Sequence, residues 1–304
     1  MKANGLPISM RGKRVIVRIK GGLGNQLFCY SAAKRLALVN DAKLCIDKTS
    51  GFKYDKLYER KYGLERFTIS DPFCSRYDRF WPLERPRRLI AKKLSQRLPF
   101  EKRYYLEQER SDFDERLINY KVRRRVYLDG YWQSERYFID REEAIRNELN
   151  FIVTEHMRKL RICKAIQSDK ESVALHIRYF DEVDIGSKYN LKSDYYLEAI
   201  KRIKKYVTHP HFYIFTNNKA LVPKTIDLTD LEYDFVSDEK SDDYTELWLM
   251  SLCKYFIIAN STFSWWGAWL SKCEEKMVIA PAIRISGETS WGFEGLLPDR
   301  WIKI

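Results

Sequence analysis

The chain has 304 residues, 45% of them hydrophobic and 14% aromatic, which is enough for a packed core and excludes the disordered class. Fifty-five basic against forty-two acidic side chains give a net charge of +13, which favours an anionic partner such as a nucleotide diphosphate, an anionic membrane surface or nucleic acid. Six widely spaced cysteines with no C-x-x-C pair point to free thiols in a reducing compartment and away from a disulfide frame or a zinc site.

Residues 1–14 lack a secretory apolar region, and no stretch approaches the roughly 20 apolar residues that span a bilayer. A soluble protein is expected. The length suits two domains of about 150 residues each. In chain order, residues 15–19 form a β-branched strand, Gly21-Gly22-Leu23-Gly24-Asn25-Gln26 a turn, 27–38 a helix and 43–47 a second strand, which is a βαβ opening. Residues 51–125 are irregular, with Pro72, Pro82, Pro86 and Pro99 and a dense basic stretch from Arg85 to Arg103. That stretch reads as helices and loops with a solvated basic face, for which a membrane surface or an acidic glycan is the functional alternative.

A short strand at 126–128 leads into Asp129-Gly130-Tyr131-Trp132-Gln133-Ser134-Glu135, and 139–149 reads as a charged helix. The domain boundary is expected at 155/156. A second set of βα units follows, with strands at 173–177, 212–216, 255–259 and 277–280 and helices at 193–207, 244–253 and 264–270. Strands alternating with helices predict an α/β protein with parallel sheets covered on both faces.

Several strand ends carry polar groups. In open α/β sheets the ligand crevice lies beyond the carboxyl ends of the strands. His176 and Arg178 close one strand, where an arginine suits a pyrophosphate; alternatively His176 is a satisfied core residue and Arg178 pairs with Asp181. Asn217-Asn218 close the next strand and fit either a base or ribose contact or a plain turn. Asn260-Ser261-Thr262-Phe263-Ser264 runs from a strand into Trp265-Trp266-Gly267-Ala268-Trp269, so it forms a helix start that suits a phosphate or is an ordinary cap. Gly21 to Gln26 has neither the dinucleotide nor the P-loop spacing and fits a tight turn as well as a ligand loop. Asp112-Phe113-Asp114 has metal-pair spacing but lacks a preceding strand, so no metal site is expected.

The segments Gly21-Gly22-Leu23-Gly24-Asn25-Gln26-Leu27-Phe28, Asp129 to Glu135, His176-Ile177-Arg178 and Leu247 through Trp269 closely resemble the α-1,2-fucosyltransferase family, glycosyltransferase family 11. The resemblance covers about residues 15–304. It implies a GT-B-type fold, two Rossmann-like domains (1–155 and 156–304) facing a cleft, with a GDP-sugar held mainly by the second. Carried over by position, it implies donor contacts from Gly24, Asn25, Gln26, His176, Arg178, Ser261, Thr262, Phe263 and Ser264. Asn217 joins this list from its place at a strand end. Catalysis is assigned to Arg178 and to Asp181 as general base, without metal or cofactor beyond GDP-fucose as donor substrate. The expected partners are a GDP-sugar and a glycan acceptor, with lipid linkage and peripheral contact at the cytoplasmic membrane face as hypotheses. Nucleic acid is not expected, since no RNA- or DNA-reading motif is present. Two departures stand out: Tyr179 and Phe180 separate Arg178 from Asp181 where the family usually reads His-x-Arg-Arg-Gly-Asp, and Asn217-Asn218 occupy positions that are usually acidic.

Overall fold

The computed structural model describes residues 12–56, 58–180, 187–237, 242–286 and 290–304. The chain divides into two compact units, Met1–Asn150 and Phe151–Ile304, with the division slightly before the boundary expected from sequence.

The first unit runs β1 (Arg14–Arg18), α1 (Leu23–Val39), β2 (Lys43–Asp47), α2 (Glu84–Gln96), β3 (Tyr105–Glu107), α3 (Glu115–Ile118), β4 (Arg125–Asp129) and α4 (Glu142–Glu148). Its four strands lie in the order β2-β1-β4-β3, all parallel, with Val15 opposite both Leu44 and Val126. The three middle residues of β1 are buried, as the apolar run between two arginines dictates. On one face Ile16, Cys45, Tyr105 and Tyr127 pack with Ala91 of α2.

The second unit runs α5 (Glu155–Lys159), α6 (Arg161–Ser168), β5 (Ser172–Ile177), α7 (Ser193–Tyr206), β6 (His211–Thr216), α8 (Val222–Thr225), β7 (Glu232–Phe235), α9 (Asp243–Ser251), β8 (Tyr255–Ile257), α10 (Thr262–Leu270), β9 (Met277–Ala280) and β10 (Ile302–Lys303). Its six strands lie in the order β10-β9-β8-β5-β6-β7, again all parallel. Every residue of the central strand β5 is buried, the polar Ser172 and His176 included, as expected of a strand covered on both faces. Val173, Leu175 and Ile177 pack with Ile200 and Ile203 of α7. α9 and α10 lie close enough that a Cβ on Gly267 would sit 2.3 Å from the Met250 sulfur, so glycine admits this approach without displacing the Met250 side chain.

Three differences from the sequence reading have local causes. The short edge strands β3, β7 and β10 lacked a long apolar run. The expected helix at 139–149 is a 3-10 turn at Ile139–Arg141 followed by α4. α10 starts at Thr262, which makes Ser261 its N-cap. All six cysteines are free thiols, as expected.

Candidate functional site

In the second sheet the chain builds outward from β5 to β6 and β7, then returns to add β8, β9 and β10 on the other side. The order therefore reverses between β5 and β8, and the crevice beyond the strand ends at such a reversal is where open α/β sheets hold ligands. His176 is the last residue but one of β5, and Phe263 lies in the first turn of α10 after β8. Their rings pack at a centroid distance of 5.7 Å, tilted by 47°, so two segments singled out separately in the sequence meet.

The first turn of α10 faces this crevice with the unsatisfied amides that every helix start carries. The Ser261 hydroxyl accepts from the Phe263 amide at 3.3 Å, and the Ser261 carbonyl accepts from the Ser264 hydroxyl at 3.3 Å. Ser261, Thr262 and Phe263 are half-buried, whereas the Ser264 side chain is enclosed. Ser264 therefore braces the turn through its hydroxyl and can offer a ligand only its backbone. Two buried polar atoms in the crevice region have no protein partner: His176 Nδ1 and Asn260 Oδ1, on residues only 5% and 2% exposed. A buried polar atom left unpaired costs about 1–3 kcal/mol, so a pair of them beside an open helix start points to a ligand that completes them. The other end of the Asn260 amide donates to Tyr189 O at 2.8 Å, which fixes the orientation of Oδ1.

Arg178 sits on the rim, partly exposed, with its guanidinium 5.9 Å from the Phe180 ring centroid. The backbone that carries it is clamped. Asn217 accepts from Tyr179 N through Oδ1 and donates to Tyr179 O through Nδ2, both at 2.9 Å, and Asn190 Oδ1 accepts from Phe180 N at 2.8 Å. The Tyr179 side chain is buried with its hydroxyl 2.7 Å from Thr225 Oγ1. Asn217, expected as a donor contact, thus holds the loop that presents Arg178.

Burial, aided by the Arg178 cation, pushes the His176 imidazole down to about 3. The ring is neutral at physiological pH and serves as a hydrogen-bonding group rather than a cation. Because the folded protein refuses a proton that the unfolded chain accepts below about pH 6.5, stability falls as the pH is lowered from there. His176→Asn should remove up to about 2 kcal/mol of the loss between neutral pH and about pH 5. Urea titrations of both proteins across that range measure it.

The first unit has an equivalent reversal between β1 and β4, flanked by the glycine loop after β1 and Gly130-Tyr131 after β4. Gly21 takes φ +79°, and a Cβ there would lie 3.0 Å from both Asn25 and the Tyr131 ring. Here the structure corrects the sequence reading of Gln26. Its side chain is 2% exposed; Nε2 donates to Gly21 O and Lys61 O, both at 2.9 Å, and Oε1 accepts from Gly63 N at 2.8 Å. Gln26 is a staple between the glycine loop and the irregular segment, with no hydrogen left to donate. Gly24 is buried inside α1, and Asn25 Oδ1 accepts from Gln133 Nε2 at 2.8 Å. Beneath the loop, Asp129 takes Lys20 Nζ at 2.7 Å, Arg18 Nη1 at 3.2 Å and the Tyr105 hydroxyl at 2.6 Å.

Asp181, the expected general base, lies outside the described residues. Among the described residues no group of three or more His, Cys, Asp and Glu side chains is placed to hold a metal ion. Sequence reasoning passed over Asn190 and the side chain of Asn260. Asn260 carried a usable signal, a polar residue ending an apolar strand, while Asn190 sits in a loop with none.

Comparison with known proteins agrees with this architecture. The family model Glycosyl transferase family 11 matches residues 14–288. An alpha-1,2-colitosyltransferase of Escherichia coli is 28% identical over 95% of this chain and 98% of its own length. The O-antigen biosynthesis glycosyltransferase WbnK of Escherichia coli is 29% identical over 94% of this chain and 99% of its own. Among solved structures, fucosyltransferase NodZ from Bradyrhizobium aligns over 86% of this chain and 93% of its own at TM-score 0.50 and 13% identity. POFUT1 in complex with GDP-fucose aligns over 88% and 98%, also at TM-score 0.50 and 13% identity. The fold is GT-B, as the sequence led us to expect, and with the family model spanning nearly the whole chain, this protein is a glycosyltransferase of family 11.

Proposed function

We propose that the protein transfers L-fucose from GDP-fucose to a hydroxyl of a glycan acceptor, O-2 of a galactose, with inversion at the anomeric carbon. The observation that carries this reading is the convergence of Arg178, the open first turn of α10 and the unpartnered His176 and Asn260 atoms at the β5/β8 reversal. A diphosphate there would meet a cation and helix amides, while the neutral His176 ring and the Asn260 carbonyl oxygen would complete their hydrogen bonds to donor groups. Relatives named for α-1,2 transfer and for O-antigen biosynthesis support the linkage and a glycan acceptor.

In the proposed reaction the acceptor oxygen bonds to the sugar C1 as the bond from C1 to the β-phosphate oxygen breaks. The electron pair leaves with GDP, and the hydroxyl proton passes to a general base, for which Asp181 is our candidate. Charge grows on the β-phosphate in an oxocarbenium-like transition state, so Arg178 and the α10 start supply the stabilisation. With that positive charge built from protein groups, the reaction needs no metal ion. Asn217 acts through the backbone it holds.

The deciding experiment offers a panel of GDP-sugars with galactose-terminated acceptors and assigns the product linkage by NMR. A second donor, another GDP-linked deoxyhexose, is favoured by the colitosyltransferase relative and by the altered segment at Tyr179-Phe180. The panel separates the two by rate. Replacing Ser261 and Thr262 together by alanine should weaken GDP binding about tenfold or more, while loss of the cap lowers stability by only about 1 kcal/mol. Calorimetric titration with GDP and a melting curve read the two effects. Unchanged GDP affinity would reduce Ser261 to an ordinary cap.

A further inference from the structure

Helix α2 turns an apolar stripe toward water. Its inner side is fixed by contacts: Ala91 packs with Tyr105 and Tyr127, and Ser95 Oγ donates to Tyr105 O and accepts from Tyr105 N, each at 3.0 Å. Arg88, Ala91 and Ser95, at helical spacing, are its buried residues. Ile90 and Leu94, one turn apart on a flank of the helix turned away from that buried side, and Leu83 at its N-cap are 57%, 49% and 62% exposed. Trp81 and Tyr77 extend the patch at its start, edge to face at 5.6 Å and both exposed. A helix packed on its own domain normally shows polar residues where these lie, so the patch is a surface awaiting a cover.

Charge selects what covers it. Lys93 and Arg97 flank the stripe, exposed and without an acidic partner among the described residues. Arg87 Nη1 donates to Trp81 O at 2.8 Å, and the Arg76 guanidinium stands 5.7 Å from the Trp81 ring, so cations also surround the aromatic end. The only acidic residue of the helix, Glu84, is engaged by Arg79 at 3.6 Å. A second copy of the chain docked face to face would set these cations against one another. An anionic lipid surface accommodates both features, since leucine, isoleucine and tryptophan enter the acyl boundary while lysine and arginine reach the phosphates. Among the described residues no helix is long and apolar enough to cross a membrane.

We infer that α2, with Trp81 and Leu83, is a docking surface by which the protein lies on an anionic phospholipid bilayer. This holds independently of which sugar is transferred. The test is co-sedimentation of the full chain with vesicles of phosphatidylethanolamine and phosphatidylglycerol, compared with vesicles of phosphatidylcholine alone. Binding to the anionic vesicles is expected, with affinity reduced about tenfold or more by Ile90→Ser with Leu94→Ser and roughly fivefold per charge by Lys93→Gln and Arg97→Gln. These side chains already face water, so melting temperatures should not move; if the serine pair misfolds, the two glutamine variants carry the test. No retention on the anionic vesicles, equal retention on phosphatidylcholine, or retention unaffected by the variants overturns the inference. A dimer in sedimentation velocity that is lost in the serine pair would overturn it in favour of self-association.

Discussion

Alanine in place of Arg178 is expected to lower kcat by roughly 10²–10³-fold while the protein keeps its fold. The side chain stands partly exposed on a rim whose backbone is held by Asn217 and Asn190, so its removal leaves the clamp intact. In the proposed reaction, what disappears is positive charge where the leaving diphosphate gains negative charge. Arg178→Lys should recover only part of the rate, because an ammonium offers a point charge where guanidinium offers a paired contact. A coupled assay of GDP release with each variant, alongside a melting curve, measures both effects. Near-normal turnover by the alanine variant would remove Arg178 from the mechanism.

Asparagine in place of Asp129 is expected to destabilise the first unit by about 3–5 kcal/mol. Burial alone would raise the Asp129 carboxyl, but Lys20 and Arg18 outweigh it and hold the group well below the usual carboxylate range. Neutralising the residue leaves two cations facing a buried amide. A carboxyl depressed in the folded state stabilises fully above the unfolded value, so the contribution is present at neutral pH and is lost as the pH drops below about 4. Urea unfolding of Asp129→Asn at neutral pH should show the deficit, and the variant should have a flatter acid limb than the parent. Equal midpoints in urea would mean that the cations find other partners.

The rim of the second unit was legible because its polar residues terminate largely apolar runs, so each strand end is marked by the next residue in sequence: Ile177 before Arg178, Thr216 before Asn217, Ala259 before Asn260. The meeting of His176 with Phe263 followed once the strand order was known. Gln26 was misread because an amide next to a glycine turn looks ligand-facing until its partners Lys61 and Gly63 are visible, and these lie in the segment with no periodic pattern. The apolar stripe of α2 was hidden for a related reason. Its residues alternate with arginine and lysine, so the sequence reads as a charged run, and only the packing of Ala91 and Ser95 shows which side faces out.

The Asn217 clamp gives a chemical reason for one departure from the family pattern. The backbone ladder between β5 and β6 ends at Ile177 opposite Thr216, and the Asn217 amide then supplies both an acceptor and a donor to Tyr179, as another strand residue would. Arg178 thus stands between a true rung and a counterfeit one. A carboxylate at 217 could accept from the Tyr179 amide but would repel its carbonyl, so an acid here unlocks the rung. Where the loop must be fastened through this side chain, position 217 is closed to an acidic residue, and any carboxylate that reads a nucleobase has to be supplied from elsewhere in the unit.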